Sequence, residues 1–366
     1  MRSKVSIVGA GAVGLYLAYK LASDGIDVTV YDGKRNIRDR SDTASGILSK
    51  RGLERFKIDY SAALLNELDG VVIHVNRKTM KVKAAEPRAV VLDRGIFAEI
   101  LMGMAEDAGA EVLLGKRLGK EKIAEMIMDN ESVLVGADGA VSAVASAAGF
   151  DGIREYVLTY KAVFDGMSIE DCGSAELFFS KSFAHRFFGW TVPYSGSALE
   201  IGLGISDSAK TSSKTAFSRF INEEVKDKIG MARPIGEHAS MIPISRRKKT
   251  VKENVVLVGD AAGQTKSTTG GGLIFGMACA DIAAKSITAH LRKGAKLSAY
   301  ERMWRSRYGL DLRLHDALHA YYSNFYGSFG FFIGMAETIG LDRFFGRYGD
   351  MDSPSLMIKR FFTRSV

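Results

Sequence analysis

An α/β fold is what this sequence predicts: a parallel-sheet unit, an antiparallel sheet inserted into it, and helices at the C-terminal end. Two observations carry that expectation. Three short apolar runs, residues 4–8, 132–135 and 255–258, each pass directly into a glycine-bearing turn, the way a buried parallel strand meets its helix. Between the second and third of them, residues 156–243 change to strand-like runs joined by turns, the pattern of an antiparallel sheet.

Taken in order, residues 4–8 form a strand, 15–23 have helical spacing, and 27–31 form a second strand ending at Asp32. That is a βαβ unit of about thirty residues. Residues 41–60 read as a polar loop with a short helical stretch. Residues 70–75 and 79–83 read as antiparallel strands turning at Asn76-Arg77-Lys78. A helix is expected over 93–108 and a strand over 111–114, after the stop at Gly109. The insert shows strands at 175–180, 186–193 and 198–204, with an amphipathic helix at 211–228. A long helix over 272–290 follows the third glycine turn. The expected domains are therefore a discontinuous Rossmann-like unit (1–150 and 245–300), an antiparallel-sheet substrate domain (151–244) and a C-terminal helical region (301–366).

Composition narrows the partners. The chain has 366 residues, 46% hydrophobic and 25% charged, enough for a large core. Its two cysteines, Cys172 and Cys279, have no paired spacing. That argues against a disulfide framework or a cysteine metal site, and for a reducing compartment. Residues 1–9 run straight into a strand with no apolar stretch and cleavage site. No run approaches the roughly 18 apolar residues of a spanning helix. The expected location is cytoplasmic, either free or peripheral at a membrane. Net charge is +8 and the pI about 9.2. Without a nucleic-acid fold motif, nucleic acid is not an expected partner. An anionic dinucleotide, a phosphorylated substrate or an anionic membrane accounts for the excess equally well.

The chemistry begins at Gly9-x-Gly11-x-x-Gly14. In this pattern Gly9 allows the tight turn, Gly11 lets the backbone approach a pyrophosphate, and Gly14 lets helix and strand pack closely. The pyrophosphate meets the helix N-terminus, where free N–H groups and the helix dipole favour negative charge. Asp32 is placed for an adenosine ribose. This unit alone does not separate NAD from FAD. In the third segment, Gly259-Asp260 ends a strand, where a carboxylate can take a ribityl hydroxyl. Gly270-Gly271-Gly272 then exposes N–H groups ahead of Leu273. Together the segments predict FAD, held through Gly9, Gly11, Val13, Gly14, Asp32, Asp260, Gly271, Gly272 and Leu273.

In this order the motifs resemble the glutathione-reductase-type FAD fold shared by flavin monooxygenases, halogenases and geranylgeranyl reductases. The resemblance implies that Arg94, in Leu92-Asp-Arg94-Gly-Ile-Phe97, lies along the FAD. Phe188-Gly-Trp190-Thr-Val192-Pro193, then Leu199-Glu-Ile-Gly202-Leu-Gly204, is similar to the Tyr-x-Trp-x-Phe-Pro stretch and following glycine strand of geranylgeranyl reductases. Strand alternation puts Phe188, Trp190 and Val192 on one face, and with Pro193 these are the expected substrate-binding residues. Thr43-Ala44-Ser45-Gly46-Ile-Leu-Ser49 resembles the Cys-x-Gly-Leu-x-Ser loop beside the flavin. Ala44 and Ser45 are therefore expected at the cofactor, but with Ala44 at the cysteine position no catalytic proton donor is named. Ala98 and Ala145 also depart from the wider pattern. Gly263 and Ser267 stand where hydroxylating monooxygenases carry His and Pro.

The activity this implies is FAD-dependent saturation of C=C bonds in polyprenyl (geranylgeranyl) chains, such as those of archaeal membrane lipids. Since no second Gly-x-Gly-x-x-Gly unit is visible, the electron donor is either NAD(P)H at a transient site or a ferredoxin-type protein. The alternatives are an FAD-dependent monooxygenase or halogenase-like enzyme on an apolar small molecule, and an electron-transfer flavoprotein. No metal is expected: His315 and His319 share a helical face but lack the Glu of a zinc motif, and read as a surface pair. Arg246-Arg247-Lys248-Lys249 reads as a solvated turn, or as a run attracted to a lipid phosphate or an anionic membrane. The aromatic stretch 321–335 reads either as packing or as a hydrophobic entrance for a lipid tail, with Arg343, Arg347, Lys359 and Arg360 meeting headgroups.

Overall fold

The computed structural model describes residues 4–39, 45–129 and 131–363. The chain forms two compact units, each built from discontinuous stretches. The first comprises Met1–Ser41, Arg94–Arg154 and Pro243–Leu312, and the second Asp42–Asp93, Glu155–Ile242 and Arg313–Val366.

The first unit is organised on a six-stranded sheet in the order Val251–Lys252, Val255–Leu257, Val133–Gly136, Lys4–Val8, Asp27–Tyr31, Glu111–Leu113. Every neighbouring pair is parallel except the first. The reason is in the residues: Val5, Ile7, Val28, Val30, Leu134 and Val135 are at most 1% exposed, as strands covered on both faces require. The helices Arg94–Asp107 and Leu273–Lys293 pack on the helix Ala12–Ser23. The three strands that run into glycine turns lie side by side and point the same way. Their turns therefore fall along one edge of the sheet, where ligands of open α/β sheets bind.

The second unit holds a seven-stranded sheet in the order Pro234–Pro243, Tyr156–Phe164, Leu199–Ser206, Gly189–Pro193, Ser174–Phe179, Gly70–Val75, Lys78–Lys83. A three-stranded sheet of Ile47–Ser49, Ala89–Leu92 and Leu64–Leu68 accompanies it. The expected antiparallel insert is present, but it extends across a parallel pairing of Ser174–Phe179 with Gly70–Val75. That pairing draws the whole 42–93 stretch, assigned from sequence to the first domain, into the second unit. The helices Tyr326–Met335 and Leu341–Tyr348 pack on the outer strand Lys78–Lys83.

Several local expectations change. The strand expected at 186–193 begins only at Gly189, because Arg186 takes a left-handed φ of 58° and breaks it. The 211–228 helix is Ser213–Phe220, a π-helical turn Ile221–Val225, and Lys226–Ile229. His315 and His319 are buried, not a surface pair; His319 Nε2 lies 3.0 Å from the Arg186 carbonyl oxygen. Arg247 is buried too, its Nε donating to the Ala261 carbonyl at 2.6 Å. It therefore anchors the third glycine turn, where a solvated turn was expected.

Candidate functional site

At the sheet edge of the first unit, the chain leaves Lys4–Val8 through Gly9, whose φ of 111° only glycine adopts readily. A Cβ there would lie 2.3 Å from the Ala137 carbonyl oxygen, and one on Gly14 would lie 2.0 Å from the Gly9 oxygen. These two glycines are therefore demanded by the protein's own packing. Gly11 is different: a Cβ added there meets nothing within 4 Å. Gly11 is also the N-cap of Ala12–Ser23, and no side chain caps that helix. The free space and the uncapped N–H groups coincide, as an incoming phosphate requires.

Asp32 closes the turn. Its Oδ2 accepts from the Ala10 N–H at 2.7 Å and its Oδ1 from the Lys34 N–H at 2.8 Å. Two carboxylate oxygens offer about four lone-pair sites, so acceptors remain for a ligand hydroxyl. Asp138, in the second turn, serves its own segment, accepting from the Ser142 hydroxyl at 2.6 Å and the Val144 N–H at 3.1 Å.

The third turn sits against the first. A Cβ on Gly276 would be 2.6 Å from a Val13 methyl, and one on Gly259 3.3 Å from it. The Val13 side chain is thus the wedge between the two phosphate-type turns. Asp260 follows Gly259, and burial pushes its carboxyl pKa up, opposed by a 3.2 Å hydrogen bond from Thr265 Oγ1 and by the charge of Arg94. Arg94 and Asp260 therefore lie within electrostatic reach of each other. Gly272 is the N-cap of Leu273–Lys293, again with no side-chain cap, and a Cβ on it would be 2.7 Å from Asp260 Oδ1. The 21-residue helix adds a second aligned dipole. Sequence reasoning missed Lys266, which is 5% exposed. Its Cε would lie 2.9 Å from a Cβ on Gly271, so a cation stands at the second phosphate-type turn.

In the second unit, Ser45 Oγ lies 3.4 Å from the Ile47 N–H, and Ala44 falls outside the described residues. Phe188, Trp190, Val192 and Pro193 are all buried. Phe188 stacks on Phe187 at 4.3 Å and meets Trp190 edge-on at 6.1 Å. Trp190 lies flat over its cross-strand partner Gly202, where a Cβ would be 2.2 Å from the indole. Unforeseen from sequence is the carboxylate behind it. Glu200, wholly buried, accepts from Trp190 Nε1 at 2.9 Å and from the Tyr194 hydroxyl at 2.6 Å, and pairs with Lys161 at 2.6 Å.

Two uncapped helix N-termini and a buried carboxylate along one sheet edge suit a dinucleotide with a polyol arm, as FAD is. The chain belongs to the FAD binding domain family, whose model matches residues 2–307. It is 27% identical, over 88% of both chains, to a digeranylgeranylglycerophospholipid reductase of Methanothrix thermoacetophila. Among solved structures it is similar to a geranylgeranyl bacteriochlorophyll reductase-like protein from Thermoplasma acidophilum. That match has a TM-score of 0.78 at 18% identity over 98% of this chain and 95% of that one. The flavin-dependent brominase Bmp2 matches with a TM-score of 0.71 at 15% identity, over 99% and 98% of the two chains. The structural matches establish the fold, which flavin reductases and halogenases share.

Proposed function

We propose that this protein is an FAD-dependent reductase that saturates C=C bonds in the polyprenyl chains of a membrane lipid or lipid precursor. The observation that carries the reading is the extent of the similarity to the archaeal reductase, 88% of both chains, which takes in the sheet unit as well as the nucleotide-binding unit. In this reading Gly9, Gly11, Val13 and Gly14 present backbone N–H groups to the pyrophosphate, and Asp32 takes the ribose. Asp260 takes the ribityl chain. Gly271, Gly272, Leu273 and Arg94 hold the remainder.

Bound and reduced, FAD would supply a hydride to one carbon of the double bond, and a proton from solvent would complete the other, since no side chain of this chain is assigned as the donor. The chain's own task is to exclude water and fix the alkene, since an isolated double bond has no carbonyl to stabilise developing charge. Phe188, Trp190, Val192 and Pro193 are the residues proposed to bind it. Glu200 holds the Trp190 indole in one orientation through the 2.9 Å hydrogen bond. Location at the membrane that contains the lipid follows from the substrate; among the described residues no helix is long and apolar enough to cross it. NAD(P)H or a ferredoxin-type protein supplies the electrons.

The test is anaerobic reduction of the purified protein followed by addition of a geranylgeranyl lipid. Flavin reoxidation with product heavier by two hydrogens per bond is expected. A product carrying hydroxyl or halogen, formed only with oxygen, would assign the protein to the monooxygenase and halogenase side of the fold. No turnover with either would leave an electron-transfer flavoprotein.

A further inference from the structure

The second unit exposes apolar side chains in a pattern that its own folding does not require. On and beside the helix Tyr326–Met335, Phe325, Phe331, Phe332, Met335 and Ile339 are exposed, Phe325 to 63%. The last helix, Pro354–Phe362, adds Ile358, Phe361 and Phe362, the last of them 69% exposed. Single exposed apolar residues are ordinary, but clusters of exposed aromatic and aliphatic side chains on two helices of one unit mark a surface that meets something.

The surrounding charge selects what it meets. Lys78 Nζ lies 5.6 Å from the Phe331 ring centre. Arg343, Arg347 and Lys359 are exposed on the same helices as the clusters or the one between them, against the acids Glu337 and Asp342. Arg360, one residue before Phe361, also lines a shallow cleft with Arg51 and Arg88. Asp350 is the carboxylate among the residues lining that cleft, 3.5 Å from Arg51. Three guanidinium groups against one carboxylate leave it positive. A second copy of the chain would cover the rings equally well but gives no reason for the cations. An anionic bilayer accounts for both, since amphipathic helices with aromatic and aliphatic faces and basic margins lie at the headgroup boundary of such membranes.

We propose that this face docks on an anionic phospholipid bilayer. The Phe and Ile side chains enter the boundary between headgroups and acyl chains, and Arg51, Arg88 and Arg360 meet lipid phosphate. The inference deepens the reading of a membrane-lipid substrate, but docking is measured without turnover.

Holoprotein is floated with vesicles of phosphatidylcholine alone and of an equal mixture with phosphatidylglycerol. Co-flotation with the mixture, weakened by salt, is expected. Phe361→Ser with Phe362→Ser lowers the partition coefficient by about tenfold or more, and Arg51→Gln with Arg360→Gln removes the preference for anionic vesicles. Unchanged flavin absorbance and circular dichroism establish that these variants fold. Absence of flotation by the wild type, or equal flotation of the wild type and both double variants, overturns the proposal. So does a concentration-dependent dimer that Phe361→Ser with Phe362→Ser dissociates. If docking fails while a detergent-dispersed geranylgeranyl lipid is still reduced, this inference falls alone; loss of that reduction tells against the enzymatic reading instead.

Discussion

Glycines of the first turn look alike in the sequence and differ in what they do. Gly14 is fixed by a backbone oxygen that would sit 2.0 Å from an added Cβ, whereas Gly11 faces open space. Gly14→Ala should therefore destabilise the apoprotein by about 2–3 kcal/mol, as overpacking does. Gly11→Ala should leave apoprotein melting unchanged while weakening FAD at least about tenfold. Flavin fluorescence titration beside thermal melting separates the two, and equal losses of stability would defeat the distinction. The contrast was half legible. The Gly-x-Gly-x-x-Gly spacing announces a nucleotide turn because three local constraints must be met within six residues. Glu200 announces nothing: it is one acid in an apolar strand, and its partner Lys161 lies 39 residues away on another strand.

At the scale of elements, the parallel pairing of Gly70–Val75 with Ser174–Phe179 joins stretches about a hundred residues apart, so no local pattern foretells it. It carries its own ionic tie. Burial works against ionisation of Glu176, but hydrogen bonds from His74 (2.8 Å) and from Lys228, with their charges, hold its pKa down to about 2. In the unfolded chain the ordinary value is 4.5. The tie therefore stabilises the fold fully above that value. As pH falls the unfolded chain takes up the proton first, and the contribution, roughly 3 kcal/mol, is gone near the folded value. Urea midpoints measured between neutral pH and pH 2 should fall more steeply for the wild type than for Glu176→Gln. Parallel curves would show that the cluster adds nothing. The individual strands were readable from alternation and turn residues, while their membership in a sheet was not.

For the whole molecule, the proposed FAD ligands of the first unit come from all three of its chain stretches, at Gly9–Asp32, Arg94 and Asp260–Leu273. A ligand that binds only when these stretches are assembled stabilises their assembly, by about 2.7 kcal/mol at a free concentration a hundredfold above Kd. Removing FAD should therefore lower the Tm by roughly 5 °C. Scanning fluorimetry of holoprotein, stripped protein and reconstituted protein tests this. Identical melting of all three would place the cofactor ligands elsewhere. Where residues 42–93 belong depends on a strand pairing that only the folded chain displays.

The strand order of that first sheet also has a consequence for how the protein is made. Lys4–Val8 leaves the ribosome before its neighbour Val133–Gly136, which follows more than a hundred residues later, and the strand beyond that, Val255–Leu257, comes later still. At about 5–20 residues per second, the nascent chain spends on the order of ten seconds with Lys4–Val8 paired on one side only, by Asp27–Tyr31. With the ligands proposed above, cofactor capture is a late event in biosynthesis. It follows synthesis of the helix that Gly272 begins, and nascent chains stalled before that point would carry the glycine turn without the means to retain a flavin.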